Sequence, residues 1–322
     1  MMAALARLVD RWAINMAAAR MPAPDGREAH LAEAQAMIAS AEFIPPRVEA
    51  AKVQFAGAEG FHFETPWPGP FAENNTVHGR FYRCGQQWQQ RPTVILLHGW
   101  NDVTDHYFLF PLLARRLNAR GFNAATIEAP FHFQRRPRRL GAWSNFLCPD
   151  IGRTTQAVRQ SIAETRALAE WLRQRGCPKV GLLGVSLGAW LAGLTISRDD
   201  RFGCAVLMVP VARLDRVIEE ARFCRGIRPA WQGGPVAAGK LNLTEVSPTL
   251  PRQNILLIEA IYDLFVAKET MEELWRAWKE PEIWRLRHGH ISVLTAPGLH
   301  GRIIDWMGPR LRGGDGRETN FD

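Results

Sequence analysis

The segment that most constrains the fold is residues 180–197, which hold eighteen positions without a charged side chain. Its length is close to that of a membrane-spanning helix. Four glycines interrupt it, however, at Gly181, Gly184, Gly188 and Gly193. This pattern predicts a buried strand, a sharp turn and a buried helix, and it therefore favours a protein with a substantial core over a membrane span.

Strand-like and helix-like segments alternate around that unit. The apolar run at residues 94–97 ends at His98 and Gly99, and such a run is typical of a strand buried on both faces of a parallel sheet. Because parallel strands need crossover connections, the alternation predicts an α/β protein with a mostly parallel central sheet and helices on both faces. Further strands are predicted at 122–130, 204–212, 254–260 and 282–287, and helices at 112–119, 154–174 and 269–280.

The two ends of the chain differ from this alternating middle. Residues 1–47 carry apolar side chains at helical spacing, including Leu5, Leu8 and Trp12, and predict a helical N-terminal extension. The main domain is expected at 48–308, and it begins with strand-like pieces in an antiparallel, hairpin-like arrangement. Residues 309–322 are rich in glycine and charge, and we expect a disordered tail there.

Composition narrows the class of protein and its compartment. Hydrophobic residues make up 47% of the 322 positions, which excludes a wholly disordered chain. The net charge of +8 permits an anionic partner, but no zinc-finger, RNP-type or basic-helix pattern accompanies it, so we expect no nucleic-acid binding. The five cysteines are scattered and form no C-x-x-C pair, which indicates neither a disulfide framework nor a zinc site and favours a reducing, cytoplasmic compartment.

The first twenty residues leave two interpretations open. Arg7, Asp10 and Arg11 interrupt the apolar stretch, so a standard signal peptide is not expected. A helix with Leu5, Leu8 and Trp12 beside these arginines is suited to rest on an anionic membrane surface, or to pack on the main domain. We favour packing, because Asp10 weakens the cationic face, and peripheral membrane contact stays as the alternative.

The central unit also carries a candidate nucleophile, Ser186. The pentapeptide Gly184-Val185-Ser186-Leu187-Gly188 matches G-x-S-x-G, in which a serine lies on a tight turn between a strand and a helix. The two glycines leave room for the turn, which presents the hydroxyl at the carboxyl end of the strand. A serine hydroxyl needs a base, and the base needs an orienting acid.

Candidates for both partners follow later strands. Asp263 comes after the strand at 254–260, and His290 comes after the strand at 282–287. The order serine, aspartate, histidine is that of α/β-hydrolases rather than of chymotrypsin-type or subtilisin-type enzymes. Alternative candidates are His288 for the base and Glu259 or Asp215 for the acid. His300 is better explained as a surface or packing residue, and His132, in the arginine-rich segment, is suited to contact the substrate but is not expected to be catalytic.

From about residue 48 to 308 the chain resembles members of the α/β-hydrolase superfamily. The matching segments are LLHGW, GVSLG, IYDLFV and GHIS, in that order. The last is also similar to the Gly-Gly-His ending of a poorly characterised branch of the superfamily, with His288 in place of the first glycine. The resemblance implies an oxyanion hole formed by the backbone N–H groups of Leu187 and Trp100, with His98 shaping the loop beneath it.

Two variable segments are expected to shape the substrate pocket. The first is residues 131–150, and the second is a cap-like insertion at about 213–251, which is what the resemblance to the superfamily implies. The arginines of the first segment are suited either to an anionic group of the substrate or to a solvated basic face. These arginines are Arg135, Arg136, Arg138 and Arg139, and the tryptophans expected near the pocket are Trp100, Trp143 and Trp231.

Together these features predict a serine hydrolase that cleaves an acyl ester, similar to esterases and lipases. Ser186 is the expected nucleophile, His290 the base and Asp263 the orienting acid, with an acyl-enzyme intermediate. This chemistry requires no metal or organic cofactor. The alternatives are an acyltransferase or peptidase with the same triad, or a catalytically silent binding module of the same fold.

Overall fold

The computed structural model of the 322-residue chain describes residues 2–21, 31–40, 43–44, 47–101, 105–140, 146–231 and 239–313. Within these ranges nine strands form one sheet. The strands are β1 (Gln54–Ala56), β2 (Gly60–Glu64), β3 (Thr76–Tyr82), β4 (Thr93–Leu97), β5 (Asn123–Ile127), β6 (Val180–Val185), β7 (Cys204–Met208), β8 (Ile255–Ala260) and β9 (Glu282–Leu286).

The strands run across the sheet in the order β1-β2-β3-β5-β4-β6-β7-β8-β9. At one edge the pairs β1–β2, β2–β3 and β3–β5 are antiparallel. The remaining pairs, β5–β4, β4–β6, β6–β7, β7–β8 and β8–β9, are parallel. The predicted α/β fold with a mostly parallel sheet is confirmed. In the β4–β6 ladder Leu97 lies beside Gly184, and this register brings the loop after β4 next to the turn after β6.

Successive side chains of the parallel strands point to opposite sides of the sheet. Because both sides are apolar, helices cover both faces of the sheet. Ile95 and Leu97 of β4 join one core, while Val94 and Leu96 join the other. The helices of the described residues are α1 (Met2–Ala18), α2 (Leu31–Ala39), α3 (Ala72–Asn75), α4 (Phe110–Ala119), α5 (Ile151–Gln174), α6 (Leu187–Ile196), α7 (Leu214–Glu220), α8 (Arg228–Trp231), α9 (Lys268–Ala277) and α10 (Leu299–Arg312). The first core includes residues of α5, α6 and α9, and the second includes residues of α4 and α10.

Helix α1 packs on the main domain through one side. Ala6, Asp10 and Ala17 are buried, whereas Leu5, Leu8 and Trp12 stay exposed. The break expected at Pro22, Pro24 and Gly26 lies outside the described residues. No helix in the described ranges combines the length and the apolar character needed to cross a membrane.

Two local predictions differ from the structure. The sequence predicted a hairpin-like pair of strands at the start of the main domain. The structure has a further strand, β2, between them, and it pairs with both β1 and β3. The predicted start of the tail at Pro309 is wrong, because α10 continues to Arg312. Leu311 is buried in the second core, and its packing holds the last turn of the helix despite the proline. Residues 314–322 lie outside the described part.

Candidate active site

Ser186 occupies a strained turn between β6 and α6. Its φ of 51° is in the left-handed region, which is uncommon for a residue with a side chain. A Cβ at Gly184 would come within 2.3 Å of the Gly188 carbonyl oxygen, and a Cβ at Gly188 within 2.0 Å of the Leu97 carbonyl oxygen. Glycine at both positions therefore lets the first turn of α6 approach β4 and β6, and the turn presents Ser186 above the sheet.

The three residues predicted as nucleophile, base and acid lie in one hydrogen-bonded line. His290 Nε2 is 2.8 Å from Ser186 Oγ, and His290 Nδ1 is 2.7 Å from Asp263 Oδ2. With its proton on Nδ1 the ring donates to Asp263, and Nε2 accepts the serine hydroxyl. The arrangement joins side chains that are 104 and 27 positions apart in the sequence.

The loop after β8 fixes the carboxylate of Asp263. Asp263 Oδ1 accepts backbone N–H groups from Phe265 at 2.7 Å and from Val266 at 2.9 Å. The Phe265 ring lies against the imidazole of His290, with 4.6 Å between the ring centroids. Because one carboxylate oxygen is held by the loop, the other keeps a fixed direction toward His290.

A cavity of about 460 Å³ opens at Ser186 and His290. Its walls are largely apolar and come from several distant segments of the chain. Residues 131–150 contribute Phe146 and Leu147, and the insertion between β7 and β8 contributes Leu214, Val217 and Phe223. Both segments expected to shape the pocket therefore reach it. Trp143 lies outside the described residues, and Trp231 is buried with its indole N–H donating to the Cys148 carbonyl.

The two expected donors to an oxyanion lie at the same cavity. Leu187 is the first residue of α6, where N–H groups have no acceptor within the helix, and Trp100 lies in the loop after β4; both residues line the cavity. His98 is buried beneath this loop. Its Nδ1 lies 2.8 Å from the Gly99 carbonyl oxygen, and its Nε2 accepts the Ala129 N–H at 3.0 Å. Burial lowers the pKa of His98 to about 4, so the ring is neutral at pH 7.

The alternative candidates for the base and the acid make other contacts. Glu259 lies within β8 and pairs with Arg285 at 2.8 Å, while Asp215 pairs with Arg213 at 2.6 Å. The carbonyl of His288 accepts the Tyr262 N–H, and the His290 ring, not that of His288, meets Ser186. His132 is buried with Nδ1 near the Pro130 carbonyl, and His300 is buried in α10.

The four arginines of the segment 131–150, Arg135, Arg136, Arg138 and Arg139, do not line the cavity. Arg135 is fully buried and forms two hydrogen bonds with Glu164 of α5, at 2.6 and 2.7 Å. It also donates to the carbonyl of Asn74 at 2.6 Å. Arg135 is thus neither part of a solvated basic face nor a contact for the substrate. Arg139 lies over the ring of Phe71.

Helix α1 takes a part in this site that the sequence patterns did not predict. Val9, Trp12, Ala13 and Met16 line the cavity, and Asp10 is completely buried beside the loop that carries His290. The available signal was that Asp10 is the single acid of the 17-residue helix α1, because an acid is seldom buried without a partner. Burial raises the pKa of Asp10, and hydrogen bonds from the backbone N–H groups of His290 and Ile291 oppose that rise.

Comparison with known proteins assigns the chain to a family. Residues 46–228 match the sequence model of the family described as alpha/beta hydrolase domain containing 18, and this range is more than half of the chain. The chain belongs to that family. The α/β-hydrolase assignment from the sequence is therefore confirmed. The matched range of this alpha/beta hydrolase includes Ser186 and the loop after β4, whereas Asp263, His290 and α1 lie outside it.

Solved structures of other hydrolases share the fold. An esterase of Pyrococcus furiosus, Pf2001, is 17% identical and matches with a TM-score of 0.53 over 83% of this chain and 99% of its own. An acetyl xylan esterase from Paenibacillus sp. R4 is 14% identical, with a TM-score of 0.56 over 90% of this chain and 98% of its own. A puromycin-hydrolyzing peptidase of Mycobacterium tuberculosis is 16% identical, with a TM-score of 0.58 over 79% of this chain and 39% of its own.

The curated relatives come from Mycobacterium tuberculosis. Two uncharacterized proteins, one from each of two strains, are 27% identical to the chain over 252 residues. The similarity covers 72% of this chain and 59% of each relative. The chain thus spans about three fifths of the length of the curated relatives it matches.

Proposed function

We propose that this α/β-hydrolase is a serine esterase that cleaves acyl esters through a covalent acyl-enzyme. The observation that carries the proposal is the hydrogen-bonded line from Ser186 through His290 to Asp263 at the mouth of an apolar cavity. Each of the three has the role that nucleophilic catalysis by serine requires.

The proposed reaction follows from the positions of the protons. Ser186 Oγ attacks the ester carbonyl carbon while its proton passes to His290 Nε2, and Asp263 stabilises the imidazolium that forms. The N–H groups of Leu187 and Trp100 stabilise the negative charge on the carbonyl oxygen. His290 then protonates the leaving alkoxide as the C–O bond breaks. Water, deprotonated by His290, releases the acid and regenerates Ser186.

The cavity indicates the kind of acyl group. Its volume of about 460 Å³ lies within the range of small-molecule sites, and its walls are mostly aliphatic and aromatic. An apolar acyl chain gains free energy by burial there, at roughly 0.8 kcal/mol for each CH₂ group. We therefore expect kcat/KM to rise with acyl chain length until the cavity is filled, and then to fall.

Labelling with a fluorophosphonate probe tests the nucleophile directly. We expect the purified full chain to be labelled and Ser186→Ala not to be. Ser197→Ala at the other end of α6 is the matched control, because the Ser197 hydroxyl bonds to the Leu194 carbonyl away from the cavity. In a series of p-nitrophenyl esters, Ser186→Ala is expected to lose turnover by roughly 10⁴- to 10⁶-fold.

Two results would contradict the proposal. One is a Ser186→Ala protein that is still labelled or still turns over every accepted ester at the rate of the original chain. The other is an unlabelled original chain that also leaves every ester of the series intact, and this result would favour a silent binding module of the same fold.

A further inference from the structure

The carboxylate of Asp10 in α1 accepts hydrogen bonds from both loops that carry the triad. Asp10 Oδ2 accepts the N–H of Leu264 at 3.1 Å and the N–H of His290 at 2.9 Å. Asp10 Oδ1 accepts the N–H of Ile291 at 3.1 Å. The donors are more than 250 positions away in the sequence, so α1 is tied to the far end of the chain.

These donors have direct neighbours in the triad. Leu264 follows Asp263, and the His290 N–H belongs to the base itself. One carboxylate thus fixes the loop of the acid and the loop of the base relative to each other. Gly289 completes the fit, since a Cβ at this position would come within 2.8 Å of Asp10 Oδ2 and 2.9 Å of Oδ1.

Packing alone does not explain a carboxylate at this position. Asp10 has no exposed surface, and removing a charged group from water carries a large free-energy cost. An apolar residue would fill a similar volume without that cost, but it would leave three backbone N–H groups without acceptors. The carboxylate instead supplies hydrogen-bond acceptors for these three N–H groups in a fixed geometry. Arg7, one turn earlier in α1, lies over the ring of Tyr262 and makes a second contact with the loop of the acid.

We propose that Asp10 is a positioning residue that holds the loops of Asp263 and His290 in line with Ser186, so that α1 is part of the active site. The inference deepens the proposed function and rests on it. Asp10 acts through the backbone of His290 and does not line the cavity, unlike its neighbours Val9 and Trp12. Its loss is therefore expected to act on the chemical step rather than on substrate binding.

The first test compares Asp10→Asn and Asp10→Ala with the original full chain. Asn keeps the shape but places N–H groups against the backbone donors, and Ala removes every acceptor. We expect kcat to fall by about 10- to 100-fold in both, because a small misalignment of reacting groups is costly, while KM changes less than about 3-fold. The matched control is Asp305→Asn, because Asp305 of α10 is exposed and pairs with Arg120. This variant should keep the kcat of the original chain.

The second test uses the contact between Asp10 and Gly289. Gly289→Ala is expected to lower kcat in the original chain, because the new methyl group displaces the carboxylate. In an Asp10→Ala background the obstructing oxygens are absent, so the same substitution should have little further effect. Such non-additivity indicates that the two positions act on one interaction.

The third measurement does not depend on ester turnover. Hydrogen exchange of the Leu264, His290 and Ile291 amides should be slow in the original chain and much faster in both Asp10 variants, with Asp305→Asn unchanged.

The outcomes separate this inference from the proposed function. Unchanged kcat and unchanged exchange in folded Asp10→Asn and Asp10→Ala would overturn the positioning role while leaving the triad in place. The variants could also show a lower melting temperature but an unchanged kcat at a temperature where they are folded. That result would show that Asp10 has only a structural role, and it would also overturn the positioning role. If the original chain is not labelled at Ser186, the proposed function fails first. The exchange of the three amides then still decides whether Asp10 holds the two loops.

Discussion

Two carboxylates act on His290, and they act on different parts of it. Asp263 bonds to the ring at Nδ1, whereas Asp10 bonds to the backbone N–H. In the proposed mechanism the first sets the tautomer and stabilises positive charge on the ring, and in the further inference the second sets the position of the residue. The nearby acids Glu259 and Asp215 are paired with arginines instead.

The proposed role of Asp263 predicts a large effect from a small change. Asp263→Asn keeps the shape but favours the wrong tautomer of His290, so we expect kcat for a p-nitrophenyl ester to fall by about 10³- to 10⁴-fold. Asp215→Asn is the matched control, because Asp215 pairs with Arg213 and does not line the cavity. Equal rates in the two variants would show that Asp263 does not orient the base.

At this scale the sequence predicted the three side chains that the structure brings into one hydrogen-bonded line, but not Asp10. The triad residues each follow a recognisable strand, and the strand order places them at one edge of the sheet. Asp10 reaches that edge only because α1 folds back over it, across 280 positions of sequence. No local pattern encodes such a contact, and the buried acid becomes meaningful only with the tertiary structure.

Among the elements, the turn from β6 to α6 is tightly constrained by close backbone contacts. Gly188→Ala would place a methyl group 2.0 Å from the Leu97 carbonyl oxygen, so the turn must shift. We expect a loss of roughly 1–3 kcal/mol in the free energy of unfolding, together with loss of phosphonate labelling in the folded protein. Chemical denaturation measures the first quantity.

The control for that prediction is another glycine of a helix. Gly301 lies in α10, and a methyl group added there would meet no atom within 4 Å, so Gly301→Ala should be neutral or stabilise the chain by up to about 1 kcal/mol. If Gly188→Ala behaves like Gly301→Ala, the close approach of α6 to β4 does not constrain the turn.

Element prediction succeeded where the pattern was long and failed where it was short or depended on packing. Strand β4 is a continuous apolar run and α5 has apolar side chains at helical spacing, and both were predicted close to their observed bounds. Strand β2 has five residues between turns and was missed. The end of α10 was placed too early because Pro309 and the charged residues around it outweighed Leu311, whose burial is a tertiary effect.

In the whole molecule, the cavity is where distant segments meet. The helix α1, the loop after β4, the segment before α5 and the insertion after β7 all contribute to its walls. Sequence patterns predicted the sheet that supports the site, because the period of apolar residues reports burial. They did not predict the shape of the cavity, since that depends on how several separate segments pack against one another.

The proposed mechanism depends above all on Ser186 forming an acyl-enzyme during ester cleavage. Rapid acid quenching of the protein with its best p-nitrophenyl ester, followed by intact mass and peptide mapping, detects that species. We expect a burst of p-nitrophenol close to one equivalent per chain, and an added acyl mass on the peptide that contains Ser186. Continued turnover with no acylated protein, or an acyl group on a residue other than Ser186, would contradict the mechanism.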